Sequence, residues 1–187
     1  MTRCFHPALL CAMASIVIPG TAAMAQSAAA PTRVDVIFRQ MGVPVQAHFK
    51  KIDAKISYRP DQPSDSKAEF RIDMTSFDLG SPEYNKEVLK PEWFDATRYP
   101  QAIFYSTSIK VLSPTQWEAT GKLTLKGKTQ NIRVPITLKS MSDAHQFEST
   151  LRIQRLSYEI GAGEWQDTGL VADEVVIKVQ SSLPRKK

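Results

Sequence analysis

The side chains able to do chemistry in this sequence are few and scattered. Past residue 25 the histidines are His48 and His145. Each stands among polar neighbours in a different alternating segment, a placement that suits a surface better than a two-histidine metal site. Two acid pairs, Glu92 with Asp95 and Glu164 with Asp167, are close enough in sequence for paired-carboxylate hydrolysis. Both fall in turn-rich stretches, where acids are normally solvated. No Gly-x-Ser-x-Gly elbow, phosphate-binding glycine loop or zinc motif occurs. The expectation is a protein that is not an enzyme, with no catalytic residue, no metal and no cofactor beyond a non-covalently held ligand.

Both cysteines, Cys4 and Cys11, lie in an opening segment with the marks of an export signal. Arg3 and His6 lead, Ala8 to Ile18 is a short apolar run, and Ala23-Met24-Ala25 fits the small-x-small cleavage rule. Removing these 25 of the 187 residues leaves 162 and no thiol, which excludes a disulfide, a cysteine nucleophile and a thiolate metal site. Ala8-Leu9-Leu10 lacks the small residues that lipidation at Cys11 would need. The expected location is the periplasm. Arg3 is the sole member of the 24 lysines and arginines in that segment, so 23 basic residues face 19 acidic ones, a mild excess that suits an anionic membrane surface better than nucleic acid. No later stretch approaches the roughly 18 uncharged apolar residues of a membrane-spanning helix.

The expected organisation is a signal peptide at 1–25, a linker at 26–32, one domain at 33–183 and a basic tail at 184–187. Within the domain a period of two runs almost throughout. Val34, Val36 and Phe38 alternate with Asp35, Ile37 and Arg39, and Val43, Val45, Ala47 and Phe49 with Pro44, Gln46, His48 and Lys50. After Phe49 the phase slips by one to Ile52, Ala54, Ile56 and Tyr58, as a β-bulge in a bending strand would produce. The pattern returns at Ala68 to Met74, from Ala102 to about Leu112, at Trp117 to Leu125, Ile132 to Leu138, Phe147 to Ile153 and Val175 to Val179. Lys126-Gly127-Lys128 signals a tight hairpin, and Pro135 on a polar face signals an edge or an irregularity. About eight hairpin-linked strands with one apolar face should close into an all-β antiparallel barrel, filled by side chains or just wide enough for a small ligand. From Asp78 to Pro100 the alternation vanishes. Ser81-Pro82-Glu83 reads as an N-cap, a first-turn proline and a first-turn acid, predicting a helix from Pro82 to about Leu89 in a helical connection around residues 82–97. Its bulky residues are best buried over an open barrel end.

The segments Phe38 to Phe49 (FRQMGVPVQAHF), Asp78 to Tyr84 (DLGSPEY), Trp93-Phe94-Asp95 with Tyr99-Pro100 and Phe104, Gly121 to Gly127 (GKLTLKG) and Ala172 to Val175, in this order, resemble the YceI family of secreted lipid-binding proteins. The resemblance runs from about Arg33 to Leu183 and implies an eight-stranded lipocalin-like barrel whose apolar lumen holds a polyisoprenoid. Gln40 to Val45 stands where many members carry a basic, histidine-containing segment. The chain is similar there to the subgroup associated with membrane cytochromes of the b561 type. This implies an isoprenoid quinone beside a polyprenol as ligand, and such a cytochrome as partner.

The inward sets expected to line the lumen are Phe38, Phe49, Ile56, Phe70, Ile72, Phe104, Leu123, Leu125, Val134, Ile136, Leu151, Ile153, Val175 and Ile177. Tyr84, Trp93 and Phe94 should cover the entrance, and Trp165, in a glycine-rich loop, either lines a rim or lies on an ordinary surface turn. Three functions compete: a carrier of an isoprenoid lipid, a redox accessory to a membrane cytochrome, and a solid-core module that binds an envelope protein. An apolar inner face is equally what a filled barrel needs.

Overall fold

The computed structural model describes residues 31–59 and 61–185. The expected signal peptide, most of the linker, and Lys186 and Lys187 of the basic tail lie outside these residues.

The alternating segments are strands: β1 (Thr32–Gln40), β2 (Val43–Phe49), β3 (Ile52–Ser57), β4 (Lys67–Asp73), β5 (Phe77–Asp78), β6 (Gln101–Val111), β7 (Gln116–Leu125), β8 (Lys128–Ser140), β9 (Ala144–Gln154) and β10 (Glu174–Pro184). They form one curled antiparallel sheet in the order β3-β4-β6-β7-β8-β9-β10-β1-β2-β5. Its outer members in that order, β3 and β5, continue β2 and β4 respectively. β2 pairs with both β1 and β5, and β3 pairs with β4, so the ladders return to where they began. Counting β2 with β3, and β4 with β5, as two bent strands gives the eight expected, in a lipocalin-like barrel.

The phase slip after Phe49 is a corner, not the bulge that the sequence suggests. Two residues, Lys50 and Lys51, separate β2 from β3, and a short 3-10 turn at Met74–Ser76 separates β4 from β5 opposite them. The Lys50 N–H donates to the Ser76 carbonyl (3.1 Å), the Lys51 N–H to Ser76 Oγ (3.0 Å) and the Asp73 N–H to the Lys51 carbonyl (3.1 Å). These bonds satisfy the backbone where the ladder is interrupted. A register shift of the bulge type lies elsewhere, between Ser106 and Ser108 of β6 opposite β7.

Turn chemistry matches residue type. Met41-Gly42 and Lys126-Gly127 close the β1–β2 and β7–β8 hairpins with φ of 48° and 79°, and of 45° and 72°, the positive values that two-residue hairpins favour. Helix α1 (Pro82–Glu87) starts as expected, with Ser81 as N-cap and Pro82 in the first turn. It ends two residues before Leu89, and the chain continues through turns: Phe94 N–H bonds to the Val88 carbonyl (3.0 Å) and Tyr99 N–H to the Asp95 carbonyl (2.8 Å).

Side chains from opposite walls meet in three apolar clusters. One joins Leu123, Leu125 and Ile153 to Met74 and Tyr158, a second joins Ile109, Trp117, Ala119 and Leu138, and a third joins Val36, Ala47 and Phe77. Gly121 of β7 lies where a side chain has no room. A Cβ there would sit 2.5 Å from the Tyr105 carbonyl oxygen and 2.6 Å from the Phe104 ring. Gly121→Ala should therefore lower stability by about 1–3 kcal/mol, read as an earlier midpoint in urea unfolding followed by circular dichroism.

Candidate functional site

The inward faces of the strands do not fill the barrel. A lower chamber of about 150 Å³ and an upper chamber of about 340 Å³ follow one another along its axis. Phe49, Leu125 and Ile177 line both and form the waist between them. All fourteen residues expected in the lumen line one chamber or the other. Ile56, Phe70, Ile72, Phe104, Leu123, Val134, Ile136 and Leu151 face the lower, and Phe38, Ile153 and Val175 the upper. An apolar cavity of roughly 150 Å³ stays dry and accepts apolar molecules.

The lower chamber is closed by aromatics that the sequence reading left out. Tyr58 packs against Trp117 (5.6 Å between ring centres), Phe147 (5.4 Å) and His145 (4.8 Å). Burial raises the Tyr58 pKa and lowers that of His145, the latter helped by Arg185. Tyr58 and Phe147 stand in phase with the inward sets, so alternation alone points to them.

The three residues expected at the entrance all line the upper chamber, with different surroundings. Tyr84, on α1, is 65% exposed and stands at a rim. Phe94 is built into the wall, edge-on to Phe77 (5.2 Å) and tilted on Phe49 (6.5 Å). Trp93 stacks obliquely on Trp165 (5.2 Å), which also lines this chamber. Leu79, Val88, Ile160 and Val171 complete the wall from loops and turns, where no periodicity announces them.

One polar side chain organises this end. Arg155, only 2% exposed, places all its N–H groups on carbonyls. Nε donates to Ala172 (3.1 Å), Nη1 to Ile160 (2.8 Å) and Gly161 (3.4 Å), and Nη2 to Trp165 (2.6 Å) and Val171 (2.7 Å). Its guanidinium also lies 5.9 Å from the centre of the Trp93 ring. Burial pushes its pKa down while Asp173 opposes the shift, and a guanidinium starting so far above neutrality stays charged. The glycine-rich loop is thus wound around a cation. Gly161 is required there, at φ +84°, because a Cβ would sit within the contact distance of Arg155 Nη1. Lys126 Nζ adds a second tie, donating to the Pro91 and Glu159 carbonyls at 2.7 Å each.

The remaining chemical candidates do not converge. His48 on β2 and His145 on β9 are on different walls, and His48 faces Asp78 (3.9 Å). Asp95 is buried beside Arg98 (3.5 Å), and Asp167 caps the Gly169 N–H (2.8 Å). Neither acid pair lines a chamber. Among the described residues no group of three or more His, Cys, Asp or Glu side chains could hold a metal ion.

The sequence profile of the YceI-like domain matches residues 26–183. Protein YceI of Shigella flexneri is 34% identical over 92 residues, which cover 49% of this chain and 46% of that protein. A UPF0312 protein of Vibrio cholerae is 32% identical over 88 residues, covering 47% of each. The alignments thus span about half the length of these curated relatives. The crystal structure of BcnA from Burkholderia cenocepacia superposes with a TM-score of 0.79 at 39% identity, covering 81% of this chain and 96% of that one. A polyisoprenoid binding domain from Saccharophagus degradans shares the fold, with a TM-score of 0.64 at 15% identity over 85% of this chain and 97% of that domain.

Replacing Arg155 by Met would leave five carbonyls without their donors. We expect a loss of about 3 kcal/mol in urea unfolding and faster limited proteolysis within residues 160–171, with cleavage mapped by mass spectrometry.

Proposed function

The chain belongs to the YceI-like domain family, and from that premise we propose that it is an exported carrier of an isoprenoid lipid, a polyprenol or a quinone, whose tail occupies both chambers. The observation that carries the reading is the continuous apolar lining from Tyr58 through the Phe49, Leu125 and Ile177 waist to Trp93 and Trp165. Likeness of fold to a polyisoprenoid binding domain supports the same ligand class.

Affinity follows from burial alone. Each methylene removed from water contributes about 0.8 kcal/mol, so two or three five-carbon units offset the cost of immobilising the ligand. A longer tail protrudes without binding in proportion, because affinity saturates near about −20 kcal/mol. The two chambers suit a branched chain: Phe49 narrows the passage and bulkier methyl-bearing segments rest on either side of it. The leader-like first 25 residues support a periplasmic location.

Mass spectrometry of organic extracts of the purified protein should find a long-chain isoprenoid lipid, and extracts free of lipid after native purification would sink the proposal. Leu123→Trp and Ile136→Trp fill the lower chamber from the neighbouring strands β7 and β8. Each should weaken binding of a fluorescent isoprenoid more than about tenfold, the equivalent of roughly two lost methylene burials, while circular dichroism still reports a folded sheet.

A further inference from the structure

The ring of ladders has one weak seam. β7 and β8 pair from Gln116↔Thr137 to Leu125↔Lys128, and β9 and β10 from Ala144↔Pro184 to Gln154↔Glu174. β8 and β9 pair only from Ser140↔His145 to Thr137↔Glu148, although both strands continue upward. Beyond that, β8 is next tied to the turn after β9, where the Gln130 amide donates to the Ser157 carbonyl (2.9 Å). Between these ties residues 131–136 span about 20 Å of unpaired edge. The inner lips of this slot are Ile132, Val134 and Ile136 from β8 and Ser149 and Leu151 from β9, all lining the lower chamber. The Ser149 hydroxyl, at the fork, is buried without a hydrogen-bond partner.

The outer lips are basic. Continuing the Thr137↔Glu148 register sets Pro135 opposite Thr150 and Arg133 opposite Arg152. Like charges facing each other on neighbouring strands repel, and Pro135 brings no N–H to a ladder, so the sequence itself holds the strands apart. Of the acids on the flanking strands, Glu148 pairs with Lys139 and Glu174 with Arg152, while Glu118 stands opposite Pro135 on β7. Arg133 has no ion pair among the described residues.

We infer that this slot seats an anionic head group, so that the isoprenoid lipid carried is a phosphorylated polyprenol rather than the neutral alcohol or a quinone, with Arg133 and Arg152 outside and the tail passing inward to the lower chamber. The inference rests on the carrier reading above. Hydrocarbon alone in the slot would strand backbone N–H and C=O groups in an apolar setting. A phosphate or carboxylate instead accepts from the guanidinium forks and the edge N–H groups. An added peptide strand is disfavoured by Pro135 and the opposed arginines.

The test is calorimetric titration of the full chain with dodecyl phosphate, dodecanol and inorganic phosphate. Dodecyl phosphate should bind about tenfold tighter than dodecanol, as expected for charge-assisted hydrogen bonds, and inorganic phosphate alone should bind undetectably. In Arg133→Gln/Arg152→Gln the two lipids should bind alike, with dodecanol unchanged, whereas Arg133→Lys keeps most of the preference. A preference that survives the double substitution, or an equal loss for both lipids, overturns the slot while leaving the carrier reading intact. Inorganic phosphate binding as tightly as dodecyl phosphate makes this a free-anion site and overturns the lipid assignment. If neither lipid binds the unaltered chain, the carrier reading falls and the slot with it.

Discussion

Backbone pairing around a ring is the constraint on which the rest depends. Once each strand bonds to a neighbour on either side, every second side chain must point at the axis, and the apolar ones have nowhere else to go. Whether the middle is then solid or hollow depends on side-chain volume. Ala54, Ala102 and Ala119 are buried on the inner side of the wall, and small residues at such positions leave room that the phenylalanines opposite do not fill. Two chambers and a waist are the remainder left by that packing.

What could be read in advance follows from this constraint. Strand faces obey a period of two, so the fourteen lumen residues were legible from alternation, and the family resemblance supplied the reason to treat them as a lining. Turns with positive φ and the N-cap at Ser81 were legible because they depend on a few adjacent residues. The corner at Lys50 and Lys51 was visible as a slip in phase. Its nature was not, since a bulge and a change of partner leave the same trace in one strand. The roof of the upper chamber was largely illegible. Leu79, Val88, Ile160 and Val171 reach it from turns, and nothing in the sequence marks Arg155 as the cation around which residues 160–172 are wound. Its partners are main-chain carbonyls, which every residue possesses.

The two ends of the barrel are finished by different physics. Below, Tyr58, Trp117 and Phe147 close the space by ring packing. Above, a buried guanidinium gathers carbonyls and thereby shapes an otherwise irregular segment into a wall. A carboxylate in place of those carbonyls would neutralise Arg155. The Asp173 carboxylate acts on Arg155 only through space, without a hydrogen bond to the guanidinium, so a positive charge held by carbonyls stands beside the upper chamber and makes it electrically unlike the lower.

The ladder between β1 and β10 joins Thr32 to Ser181 and Ile37 to Val176, so the two most distant parts of the described chain share one seam. Such pairing is governed by loop-closure entropy over nearly the whole polypeptide. Nothing resembling the finished container exists until the last strand has emerged and found the first.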